Sequence, residues 1–129
     1  MPTVHSERIG DMVVVECDGR IVRTDAADQL RSAVTSQEGA EIVVLDFSEV
    51  STVEGAGLGM LMFLQRWADD RRIQLKIFNP SYSVSYRLQH VSPLHQFDIP
   101  SLAEMMAIVA HAEDQQKARA QGTVQSLAA

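Results

Sequence analysis

The run Glu41-Ile42-Val43-Val44-Leu45-Asp46-Phe47 sets the tightest limit on what this chain can fold into. A strand with one face in water alternates apolar and polar residues, because its side chains point to opposite sides in turn. Apolar residues at successive positions demand cover on both faces, which places this run as a strand at the centre of a mostly parallel sheet. The flanking sequence agrees. Val13, Val14 and Val15 lead a second apolar run to Cys17-Asp18-Gly19, read as a strand over about 12–17. A weaker strand over about 3–9 precedes it across a Gly10-Asp11 hairpin turn, and Ile21 and Val22 follow the Gly19 turn. Thr24 is placed to cap a helix, with Asp25 in the first turn, where negative charge suits the helix dipole. Ala26, Ala27, Leu30, Ala33 and Val34 then recur at helical spacing to about Gln37, and Gly39 ends the helix.

After the central strand, residues 48–52 read as a loop, and Leu58, residues 60–64 and Trp67 make a strongly apolar helix ended by Asp69-Asp70-Arg71-Arg72. Residues 73–78 alternate as a strand broken by Asn79-Pro80, and residues 81–91 form a modest helix carrying Tyr82, Tyr86 and Leu88. A short run over 96–99 gives the last strand, and Pro100-Ser101 opens a final helix through Leu102, Met105, Met106, Ile108 and Val109. Strands alternating with such helices build βαβ units. The expected fold is α/β, a single domain over residues 3–112. Its mixed sheet has about five strands (an N-terminal hairpin, then parallel strands) packed with about four helices, and a polar tail over 113–129 frays at its end.

Charge narrows the function. The net charge of −6 leaves no basic face for nucleic acid and no polybasic element for an anionic membrane. No apolar run approaches the length of a membrane span, and no N-terminal stretch reads as a cleavable leader. The one cysteine, Cys17, cannot form an internal disulfide, so a reducing, cytoplasmic setting is expected. Residues 1–60 hold four basic against eleven acidic residues, a balance of −7, whereas residues 61–129 sum to +1. Scattered solvated charge explains that split; an acidic face met by a basic partner explains it too.

Catalytic patterns are missing. Gly55-Ala56-Gly57-Leu58-Gly59 sits where a strand passes into a helix, but a dinucleotide fingerprint counted from Gly55 needs glycine where Met60 stands, and no Gly-Lys-Ser/Thr follows. The glycines are better explained by a tight turn and a helix packed close to the sheet. His5, His90, His95 and His111 have no metal-ligand spacing, so no metal or cofactor is expected. Cys17 reads as an inert core thiol, Asp46 as a partner for loop N–H groups, and Glu54 as a charge suited to the next helix start. No residue is assigned a catalytic role.

Residues 43–61 resemble the signature of the STAS domain, the family of bacterial anti-sigma factor antagonists. That signature is an apolar strand, Asp-apolar-Ser (here Asp46-Phe47-Ser48), an apolar pair, then Asp-Ser-Ser-Gly-apolar-Gly opening a helix (here Glu54-Gly55-Ala56-Gly57-Leu58-Gly59). Asp18-Gly19-Arg20-Ile21 resembles the family's turn after its second strand, and Leu75-Lys76-Ile77-Phe78-Asn79-Pro80 its next strand. Phe97-Asp98-Ile99 and Ser101-Leu102-Ala103-Glu104 resemble its closing strand and helix. The resemblance implies partner switching: the domain binds a kinase-like anti-sigma factor, which phosphorylates a serine at the helix start and is then released. Here the phosphoacceptor position falls on Ala56 and the preceding serine on Gly55, while Glu54 stands for the family's aspartate.

The resemblance therefore implies a protein-interaction module that binds an anti-sigma factor of the kinase-like ATPase type without phosphorylation control. Its expected partner site is Ser51, Thr52, Glu54, Gly55, Ala56, Gly57 and Leu58. Ser51 and Thr52 carry hydroxyls on the same loop, where they are ordinary turn residues. Two alternatives stay open: an accessory subunit of a membrane transporter or sensory complex, and a small-molecule-binding α/β domain. The apolar residues of the helix after Gly57 cover more than one stripe, which fits a helix buried between layers or under neighbouring helices; the alternative is that Met60, Phe63 or Trp67 reaches a partner or a second copy in a homodimer.

Overall fold

The computed structural model describes residues 3–37, 39–90 and 97–128. Strand β1 (Val4–Ile9) and strand β2 (Met12–Ile21) form an antiparallel hairpin, with Gly10 at φ +57° in the turn. Helix α1 (Thr24–Thr35) leads to strand β3 (Ile42–Val53), helix α2 (Ala56–Asp70), strand β4 (Gln74–Phe78), helix α3 (Tyr82–His90) and helix α4 (Leu102–Ala128). The sheet runs β1-β2-β3-β4, with β3 parallel to both β2 and β4, so the α/β class and the mixed sheet of hairpin plus parallel strands are as expected.

The central run is covered on both sides. Val43, Leu45 and Phe47 point into the main core with Val13, Val15 and Ile77, beneath α1, α2 and α3. Val44, between them in sequence, points the other way and is buried with Met12, Met105 and Ala112 under α4. Burying both sets removes apolar surface from water on each face of the sheet, the main stabilising term in such a layered fold. Helix α4 is tied down further along: Gly10 N–H donates to Gln116 Oε1 at 3.1 Å, and Arg119 pairs with Asp11 Oδ1 at 2.6 Å.

Five local expectations change. Among the described residues the sheet has four strands, close to the five expected: residues 97–99 contribute a parallel bridge, Asp98 to Lys76, in place of a strand. The next residue, Pro100, has no N–H with which to extend that ladder. Gln96, Val91 and His95 lie outside the described residues. Residues 48–52 belong to β3 instead of a loop, and Asp18-Gly19 lies within β2 instead of a turn. The pairing there skips one residue of β3 between Glu16 and Asp18 and another between Gly19 and Arg20, two bulges that break the alternation expected of a strand. Helix α1 is preceded by Arg23 in place of Thr24, because Ala27 N–H already reaches the Arg23 carbonyl at 3.1 Å. Helix α2 begins at Ala56, two residues before Leu58.

Candidate functional site

The passage from β3 into α2 is built by three glycines with three different environments. Gly55 has φ +54° and ψ −120°, a backbone conformation that an L side chain rarely adopts, so glycine lets the chain turn there. Gly57 lies against the end of β2: a Cβ at this position would stand 2.0 Å from the Ile21 carbonyl oxygen. That oxygen also accepts the Glu54 N–H at 3.2 Å, so the contact cannot relax without losing the hydrogen bond. At Gly59 a Cβ would meet nothing within 4 Å. The tight turn and close packing read from sequence thus describe Gly55 and Gly57 but not Gly59.

Ser51, Gly55 and Ala56 are exposed, Thr52, Glu54 and Leu58 are half-buried, and Gly57 is buried. The predicted residues therefore form one continuous edge, with Gly57 as its internal support. The Ser51 hydroxyl donates to the Gly19 carbonyl at 3.3 Å. Asp46 accepts from the Ser48 N–H at 3.0 Å and from its hydroxyl at 2.6 Å, the local role expected of it. The Glu54 carboxylate, expected to serve the start of α2, pairs instead with Arg87 of α3.

Helix α3 supplies the residues that sequence reasoning missed. Val84 and Leu88 face the core, which turns Tyr82, Tyr86 and His90 outward at four-residue spacing. Tyr82 is 86% exposed and Tyr86 55%, and the Tyr86 ring stacks on His90 at 4.1 Å between centroids. With Leu58, Ser83 and Arg87 they line a groove of about 670 Å³ between α3 and the first turn of α2. A smaller cleft of about 210 Å³ lies on the other side of Arg87, between Ser51 and Thr52 at the end of β3, Glu54 just after it, and Ser83 of α3. The available signal was the spacing 82-86-90, opposite in phase to 84-88.

Elsewhere on α2, Met60 is buried, so it is not available to a partner. Phe63 is 47% exposed beneath the Arg31 guanidinium at 5.8 Å, and half-buried Trp67 lies beneath Arg71 at 4.9 Å. Cys17 is buried, and burial, with the carboxylates of Asp46, Asp18 and Glu16, pushes its thiol up to about 12. It is a neutral core group at physiological pH. Among the described residues no group of three or more His, Cys, Asp or Glu could hold a metal ion, and no helix is long and apolar enough to cross a membrane. Hydroxyls, aromatic rings, a small apolar ledge and one ion pair are groups suited to recognising a surface.

The comparisons with known proteins agree with that architecture. The model of the STAS domain matches residues 3–101, and the chain belongs to this family. Its fold is similar to that of the anti-sigma factor antagonist SpoIIAA in its unphosphorylated form, with a TM-score of 0.67 at 18% identity over 84% of this chain and 97% of that one. The phosphorylated form of SpoIIAA, a Bacillus cell fate determinant, gives 0.64 at 17% identity over 83% and 99%. An anti-sigma factor antagonist from Mycobacterium paratuberculosis gives 0.62 at 21% identity over 85% and 95%. No curated protein matches the sequence.

Proposed function

We propose that this chain is a cytoplasmic interaction module that binds an anti-sigma factor of the kinase-like ATPase type, and that it does so without phosphorylation control. The observation that carries the reading is Ala56: it is the first residue of α2, exposed, beside a groove of tyrosines, and its methyl group cannot accept phosphate. Phosphate at such a position adds a charge of about −1.5 to −2 and a desolvation cost to any interface built there. With alanine the docking edge keeps one chemical state, so the chain acts as a constitutive antagonist or scaffold subunit. No catalytic step is assigned to it.

Affinity capture from the native cell, followed by identification of the bound proteins, tests this reading. A kinase-like ATPase should be retained by the wild type and lost with Ala56→Arg or Gly59→Arg. Both positions are exposed, so these variants should fold; Gly57, locked against Ile21, is unsuitable for this test. Incubated with ATP and the captured partner, the wild type should take up no phosphate, while Ala56→Ser should become a substrate. Capture that survives both arginine variants, or stoichiometric phosphate on Ser51 or Thr52, overturns the proposal.

A further inference from the structure

The groove and the cleft share a wall, and that wall is an ion pair. Arg87 and Ser83 line both depressions, and Glu54, which closes the cleft from the loop side, holds the Arg87 guanidinium. Their spacing follows from α3: Val84 and Leu88 turn inward, leaving Ser83 and Arg87, four residues apart, on the flank beside the cleft. Arg87 is in the last turn of α3, where the helix dipole favours a cation. Glu54 lies between the last residue of β3 and the turn at Gly55, and its carbonyl accepts the Gly57 N–H at 3.0 Å. Whatever holds Glu54 therefore holds the start of α2.

We infer that Arg87 is a positioning residue: through Glu54 it clamps the loop between β3 and α2 onto α3 and joins the loop edge and the tyrosine groove into one rigid docking surface. This deepens the interaction reading and rests on it for the word docking; the clamp itself needs no partner. A surface presented in one conformation saves the partner the entropy of ordering it. Both side chains are about half exposed, at 53% and 43%, so the pair should change local opening by about 2- to 5-fold, not decide folding.

Amide hydrogen exchange of the full chain tests the clamp without a ligand, with Gly57 and Gly59 as reporters because their N–H groups bond to Glu54 and Gly55. Arg87→Ala and Glu54→Gln should each speed exchange there about 2- to 5-fold while leaving α1 unchanged, and added NaCl should do the same to the wild type. Arg87→Lys should keep part of the protection. The exchanged pair, Glu54→Arg with Arg87→Glu, should exchange more slowly than either of its single charge reversals. Unchanged rates in Arg87→Ala, or reversals whose effects simply add, overturn the clamp. Capture of the partner by Arg87→Ala as efficiently as by the wild type overturns its part in docking. Wild-type capture that fails while the exchange effects stand removes the partner reading and leaves the clamp.

Discussion

The inner side of the first turn of α2 is closed and the outer side is open, although both come from the same run of small residues. Inward, Gly57 touches the Ile21 carbonyl so closely that no side chain fits, and the main core continues beneath it. Outward, Ala56 and Gly59 face solvent beside Leu58 and the exposed rings of Tyr82 and Tyr86. The inner side fixes where the helix starts. The outer side owes little to folding, which leaves its chemistry free to serve another molecule.

The sharpest way to break that contrast is Gly57→Ala. The clash is with a backbone oxygen already used by Glu54, so a loss of about 3 kcal/mol is expected in urea unfolding. A variant as stable as the wild type would show that the inner side is not closed. Next comes alkaline pH. Because the folded Cys17 thiol titrates near 12 rather than 9.0, burial favours its neutral form, and that contribution is complete below about pH 9 and lost as pH rises toward 12. The wild type should lose stability above pH 9 more steeply than Cys17→Ala, and its thiol should resist alkylation at pH 8 while folded.

On the outer side the effects should be smaller. Gly59→Ala should stabilise the chain by about 0.5–1 kcal/mol, seen as a rise in Tm of about 2–5 °C, because a helical glycine with open space around it gains only from the added methyl. A fall in Tm would mean that the outer side is packed after all. Tyr82→Ala should stay within about 0.5 kcal/mol of the wild type while weakening partner capture. If stability drops with capture, the ring belongs to the fold and not to the docking surface.

The layering was legible because Val43 and Val44 cannot both be satisfied by one covered face, and the two residues do enter different cores. Residues 48–53 were not, because Phe47, Val50 and Val53 are buried at successive three-residue steps with one bulge in each step, a spacing that matches no simple strand. The edge where β3 passes into α2 was readable from 51–58 as a motif. Its other half was hidden, since Tyr82 and Tyr86 look in sequence like the core side of a helix, and only Val84 and Leu88 settle which side faces in. Nor could spacing pair Glu54 with Arg87, which lie 33 residues apart on separate elements.

The bond between Gly10 and Gln116, together with the Arg119–Asp11 pair, gives the order of synthesis a physical meaning. The hairpin of β1 and β2 is finished by α4, at separations of 106 and 108 residues. As the chain leaves the ribosome, the hairpin can form and the sheet can gather α1, α2 and α3 on one side. Met12 and Val44 stay bare on the other side until Met105 and Ala112 emerge. For that interval the nascent sheet offers an uncovered apolar face, and a chaperone or the quick arrival of α4 has to protect it from neighbouring chains.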